Sequence, residues 1–335
     1  MAVIRNRSRA FAFAGLVATA ALALSACSSA NSGDDAGSEK ITVGISQFVQ
    51  HPALDSATEG FKQAFIDAGY VEGETIEFNE KNAQAEVATA TTIAQTFATD
   101  GVDLLLAVAT PSAQAAMQNI VDAPVLFTAV TDPVSADLVE SNEKPGSNVT
   151  GTSDMNPVAD QIDLITEIVP DAKKIGVVYG SGEVNSEIQV DLAREAAEAQ
   201  NIELVEATVT NAGEIKQAVE SLGDVDAIYT PTDNLVASGL GALIGVAEER
   251  GIPVVGAESA HVEGGAVATL GIDYTKLGYQ TGEMALKIIK DGADPATMAV
   301  ETSKDLELVV NPAAAKRMGV ELPAALVERA DSTVE

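Results

Sequence analysis

Tryptophan is absent from this chain of 335 residues, cysteine occurs once, histidine twice, and all aromatic residues together make up 4%. With so few rings, alanine, valine, leucine and isoleucine must do most of the packing within a hydrophobic fraction of 46%, as they do in sheets covered on both faces by helices. The lone Cys27 leaves nothing for an internal disulfide or a cysteine metal site. Two histidines as far apart as His51 and His261 make a poor metal site. Basic residues are scarce as well: 19 Lys and Arg against 50 Asp and Glu leave a formal charge of −31. That excess removes the basic footprint nucleic-acid binding requires. It favours solubility and says little about fold.

The chain opens with a basic region (Arg5, Arg7, Arg9) and an apolar run over 10–24. The run is shorter than the roughly 20 residues that span a bilayer. Leu24-Ser25-Ala26-Cys27 closes it and resembles the lipobox of a bacterial lipoprotein signal. The resemblance implies cleavage before Cys27, diacylation of its thiol, and an extracytoplasmic, lipid-anchored protein. An ordinary secretory signal with an incidental cysteine is the competing reading. Residues 28–39, rich in Ser, Gly, Asn and Asp, read as a flexible tether.

From Lys40 onward short apolar runs alternate with amphipathic segments. Strands are expected at 41–46, 75–79, 103–107 and 124–128, with helices at 54–68, 86–98 and 112–119, the last opened by Pro111. After a loop at 140–148, helices are expected at 158–168, 186–200, 214–222 and 235–249, and strands at 175–179, 203–207, 225–229 and 253–255. The repeated βαβ pattern signals parallel sheets. The expected fold is α/β, with two Rossmann-like lobes in tandem. The tail, a strand at 267–272, a helix at 277–290, a strand at 305–310 and a short helix from Pro312, departs from a third unit and suggests a hinge of several crossovers. The expected lobes are 40–150 with 273–298, and 151–272 with 299–332.

Polar turns follow many of these strands, where open α/β sheets bind small ligands because strand ends leave a crevice and helix starts offer unpaired N–H groups. The most prominent is Tyr229-Thr230-Pro231-Thr232-Asp233-Asn234. Helix capping by Thr232 or Asp233 accounts equally for one such turn taken alone, but the turns recur. Ser46-Gln47-Phe48 with His51-Pro52-Ala53-Leu54-Asp55, Thr110-Pro111-Ser112, Ala129-Val130-Thr131-Asp132-Pro133 after Thr128, Gly151-Thr152-Ser153-Asp154 and Gly271-Ile272-Asp273-Tyr274 stand in similar places.

Together these stretches resemble the ABC-transporter substrate-binding family that includes tryptophan and tyrosine uptake proteins, over residues 40–320. The resemblance implies a type I periplasmic binding protein fold with three crossovers, a ligand held between two lobes, and delivery to a permease driven by an ATPase subunit. It implies no cofactor, and a monomer is expected.

An α-amino acid needs donors for its carboxylate, an acceptor for its ammonium and a slot for its side chain. Thr110-Pro111-Ser112 suits the carboxylate, because hydroxyls coincide with a helix N-terminus whose dipole favours an anion. Asp233 is the first candidate for the ammonium, with Asp132, Asp154, Glu258 and Asp273 as alternatives, several of which would serve as caps or turn residues. Phe48, Tyr179 and Tyr274 lie near strand ends and are candidates to face an aromatic ligand, with core packing as the alternative. His51 stands at a helix start, either against ligand or facing solvent.

Other classes fit less well. Gly180-Ser181-Gly182 follows a strand, but Asn185 occupies the next required glycine position, so the dinucleotide fingerprint fails. Gly44-Ile45-Ser46-Gln47-Phe48 lacks the last glycine of a nucleophile elbow. Phosphate-loop and HExxH sequences are missing, which leaves no catalytic constellation. A regulator of the same fold would carry a DNA-binding headpiece where this chain has an export signal. A sugar or nucleoside binder is the nearest alternative, but the scarcity of Arg and Lys near the motifs suits a zwitterion better.

Overall fold

The computed structural model describes residues 40–303 and 306–334. Cys27 and the tether lie outside the described residues. The first run is β1 (Ile41–Gln47), α1 (Pro52–Asp67), β2 (Ile76–Asn82), α2 (Val87–Asp100), β3 (Leu104–Val108), α3 (Thr110–Asn119), β4 (Val125–Val130) and β5 (Val149–Ser153). The second comprises α4 (Val158–Ile168), β6 (Lys174–Gly180), α5 (Val184–Ala199), β7 (Glu203–Val209), α6 (Ile215–Ser221), β8 (Ala227–Thr230), α7 (Asn234–Ser238), α8 (Leu240–Arg250), β9 (Val254–Gly256), α9 (Ser259–Glu263) and β10 (Ala268–Ile272). The tail adds α10 (Tyr274–Asp291), β11 (Glu301–Thr302), β12 (Leu306–Val310), α11 (Pro312–Arg317), α12 (Ala324–Glu328) and β13 (Ser332–Thr333).

Two sheets result. The first has the order β2-β1-β3-β4-β5-β11 and is parallel throughout; the second runs β7-β6-β8-β9-β10-β12-β13, with β10 and β12 antiparallel. The wholly buried strands β3 (LLLAV) and β4 (VLFTAV) show why such sheets need helices on both faces. Each sheet has its own core. Phe61, Phe65, Phe97 and Phe127 fill the first. The second is aliphatic around Tyr229, whose hydroxyl donates to Gln161 Oε1 at 2.7 Å.

The chain passes between the sheets after β5, after β10 and after β11. The expected lobe limits therefore shift. The limit at 150/151 falls inside β5, which pairs with β4 from Val149 onward. Residues 301–302, expected with the second lobe, pair with β5 in the first sheet. Gly278 and Gly282 let α10 press against α1 on the first sheet, since a Cβ at Gly278 would stand 1.9 Å from the Ala57 carbonyl oxygen. The helix expected over 235–249 is two, α7 and α8, divided at Gly239, where a Cβ would lie 2.5 Å from Ile215 Cδ1.

Candidate ligand-binding site

Strand order locates the crevice. In each sheet the second strand is laid on one side of the first and the third on the other, so the order reverses at β1/β3 and again at β6/β8, and ligands of open α/β sheets bind outside the carboxyl ends at such switch points. His51 follows β1 as the extended N-cap of α1, with Pro52 at the first helical position. Ala109 precedes α3 with φ 80° and Ala129 sits in β4 with φ 56°, both in the left-handed region that side chains avoid.

One cavity is lined from both sheets: by His51, Ala129, Thr131, Asp154 and Tyr274 on one side, and by Asn185, Thr232, Asp233, Asn234 and Glu258 on the other. Its volume is about 10 Å³, because the halves are closed on each other. Asn156 Nδ2 donates to Thr232 Oγ1 at 3.2 Å, Gln189 Nε2 to Thr131 Oγ1 at 3.5 Å, and His51 Nε2 lies 3.5 Å from Asn234 Oδ1. A cavity of about 320 Å³ flanks it, with Phe48, Val87, Val209 and Leu235 as its apolar wall and Glu183 at its polar edge.

Charged groups are packed closely here. Asp154 accepts from Thr131 Oγ1 at 3.0 Å and from the Tyr274 hydroxyl at 2.7 Å. Burial outweighs both bonds and pushes its carboxyl up to about 6. Glu183 accepts from the amides of Asn234 and Leu235 at 3.2 and 3.0 Å. Burial, with Asp233 beside it, pushes Glu183 up to about 8. Glu258 lies 2.8 Å from His261 Nε2, without the alignment a hydrogen bond needs. Burial raises its carboxyl, but His261 and His51 together pull harder and leave it below the ordinary value. Burial likewise holds His51 below its usual range despite the neighbouring Glu258.

The residues expected at the site divide by what their side chains already bond. Asp233 is the N-cap of α7. Its carboxylate accepts from Val236 N at 2.7 Å, Gly180 N at 2.6 Å and Ser186 Oγ at 2.7 Å, which commits it to the second sheet's own backbone. Asp132 caps its own turn through Val134 N and Ser135, and Asp273 caps α10 and pairs with Lys276. Gln47 braces α1 through Asp55 and Thr58. Thr152 bonds Thr128 and Thr281 inside the first half, and Ser153 bonds the Thr131 carbonyl. Tyr179 is turned away, its hydroxyl donating to Glu206 at the outer strand β7. Phe48 is buried and lines the flanking cavity.

Ser46, Thr110, Ser112 and Thr230 keep buried hydroxyls without partners, as does the Glu258 carboxylate. Both histidines are buried, so a solvent-facing His51 is corrected. Glu183, Asn185, Ser186 and Gln189 were missed. Asn185 and Gln189, spaced i,i+4 at the start of α5, are buried polar residues beside a strand end, and that spacing was the available signal.

Two sheets of this order, linked three times and closed over buried polar groups, define a small-molecule binding protein of the type I periplasmic fold. Residues 42–334 match the family described as ABC transporter substrate binding protein, and the chain belongs to it. It is 45% identical over 270 residues to the tyrosine-binding protein of Clostridioides difficile (strain R20291), covering 80% of this chain and 78% of that one. The crystal structure of an ABC domain in complex with L-Trp from Streptococcus pneumonia is 32% identical, with a TM-score of 0.85 over 88% of this chain and all of that one. A ligand-free, open structure of a substrate binding protein from Clostridium difficile is 45% identical but has a TM-score of 0.67, over 88% of this chain and 99% of that one.

Proposed function

We propose that this chain is the lipid-anchored, extracytoplasmic solute receptor of an ABC importer, and that it closes around an amino acid with an aromatic side chain. One observation carries the ligand class. Buried hydroxyls without hydrogen-bond partners lie at the carboxyl edge of the first sheet, Ser46 near the end of β1 and Thr110 and Ser112 in the first turn of α3, while the second half presents the buried carboxylate of Glu258, which has His261 beside it but no hydrogen-bond donor. Donors at a helix N-terminus suit a carboxylate, and a buried acid suits an ammonium. Glu258 with Asp154 thus replaces Asp233 as the ammonium's partner, since the Asp233 oxygens are already bonded.

The aromatic preference draws on the tyrosine-binding relative and the L-Trp complex. The apolar wall of Phe48, Val87, Val209 and Leu235 offers a place for a ring once the halves part slightly. The tighter likeness to the L-Trp complex than to the more identical open structure supports a closed, ligand-competent arrangement here. Permease and ATPase partners follow from the family, and the anchor from Cys27 in its lipobox-like setting.

Calorimetric titration of the Cys27→Ser protein against the twenty amino acids and common sugars tests the reading. Tyrosine, tryptophan or phenylalanine should bind with micromolar or tighter affinity, and binding of sugars alone overturns it. The same substitution should release the protein from the membrane fraction; retention there refutes the anchor.

A further inference from the structure

Among the described residues four carboxylates are buried, Asp154, Glu183, Asp233 and Glu258, and all of them lie around the cleft between the two sheets. Both histidines are buried there too. No lysine or arginine side chain is buried among the described residues. The cleft therefore has to balance its acids without a fixed strong cation.

Three of the four acids are provided for within the second half. Glu183 and Asp233 share helix-start amides and side-chain donors, and burial beside Asp233 pushes the Glu183 carboxyl up, which favours its neutral form. Glu258 has His261 at 2.8 Å. Asp154, on the first-sheet side, has only the neutral donors Thr131 and Tyr274. The titratable groups that face it are Glu258 at the cap of α9 with His261 behind it, Asp233 at the cap of α7, Tyr274 at the start of α10 and His51 at the cap of α1. Burial holds His51 below its usual range, which disfavours its charged form.

We propose that Asp154 makes closure conditional on a positive charge in the cleft. When the halves close, Asp154 leaves water and meets Glu258 across the cavity, and two like charges in a poorly solvated space repel. An ammonium between them removes that cost. A proton on Asp154 does the same without ligand. The ammonium as the natural source of charge rests on the amino-acid reading above; the dependence on Asp154 does not.

The sign follows from the shift. Asp154 titrates at about 6 when closed and near its ordinary value of 3.8 when solvated. Protonation thus favours the closed form. Ligand-free closure gains as pH falls below about 6 and loses that gain as pH rises through it. Between pH 7.5 and pH 5 the closed-to-open ratio should rise roughly ten-fold.

The test uses the full chain carrying Cys27→Ser, with fluorophores on Thr92→Cys in α2 and Ala242→Cys in α8, one exposed position on each half. Energy transfer in ligand-free protein should increase from pH 7.5 to pH 5. Asp154→Asn should show high transfer without ligand at both pH values, and bind the amino acid at least ten-fold more weakly at pH 7.5. Should Asp154→Asn fold poorly, Tyr274→Phe serves instead: losing the hydroxyl that favours the ionised carboxylate should move the wild-type transition to higher pH. Asp154→Asn that tracks pH as wild type does, or stays open at both values, overturns the proposal, as does an unmoved transition in Tyr274→Phe. If no amino acid binds wild-type protein, the functional reading falls, while the ligand-free arms still decide this inference.

Discussion

Asp233 shows what single residues disclose. The turn Tyr229–Asn234 stands out in the sequence because hydroxyl, carboxylate and amide groups crowd between a strand and a helix. Yet capping a helix and holding an ammonium call for the same residue type, so the role stays hidden until the bonds are seen. In the structure the three donors Val236 N, Gly180 N and Ser186 Oγ converge on Asp233. Asp233→Ala should then act on stability, leaving buried donors unpaired at a cost of about 2–4 kcal/mol. Urea unfolding measures this; unchanged stability combined with lost ligand affinity would return Asp233 to the ligand. Glu258 was only one of five candidates for the ammonium in the sequence; its i,i+3 neighbour His261 was a local signal, but its place at the cavity follows only from the fold.

At the scale of elements, long periodic segments were legible and short ones were not. Helix α10 declares itself by its apolar stripe, and β3 and β4 by unbroken apolar runs. Val149–Ser153 reads Val-Thr-Gly-Thr-Ser, too small and polar to signal a strand, and becomes β5 only through pairing with β4. The same holds for the two-residue strands β11 and β13, which exist as partners of β5 and β12. The neighbour of α10 was also illegible. Gly60, Gly278 and Gly282 look like helix-weakening residues in isolation, whereas they allow α1 and α10 to approach backbone to backbone. Gly278→Ala places a Cβ 1.9 Å from the Ala57 carbonyl oxygen, a contact no rotamer relieves. The helices must separate, and the loss should be about 1–3 kcal/mol, outweighing the roughly 1 kcal/mol gained in helix propensity. Gly245→Ala on α8, where a Cβ meets nothing within 4 Å, is the control and should be neutral or stabilising. Chemical denaturation of the two variants side by side decides it, and equal stabilities would refute the close-packing account.

For the whole molecule, two mainly parallel sheets were legible because βαβ repetition dictates parallel strands, and parallel strands share a carboxyl edge, where a cavity lined from both halves lies. The route of the tail was not, since the pairing of residues 301–302 with β5 depends on where α10 sends the chain. Net charge works at this scale too. With 50 acids against 19 bases the chain carries −31, and among the described residues the ion pairs of lysine and arginine, such as Arg329 with Glu167 and Lys276 with Glu307, lie on partly exposed side chains. Added salt acts on both effects in opposite directions. Screening weakens each surface pair, worth about 0–1 kcal/mol, but it also relieves repulsion among the unpaired acids, which outnumber the pairs. Repulsion should dominate, since the Debye length falls from about 30 Å at 0.01 M to about 3 Å at 1 M, shorter than the spacing of most surface charges. The melting temperature of ligand-free protein should therefore rise steadily with sodium chloride over that range at pH 7.5. A flat or falling curve would mean that the surface pairs, few as they are, outweigh the excess of negative charge.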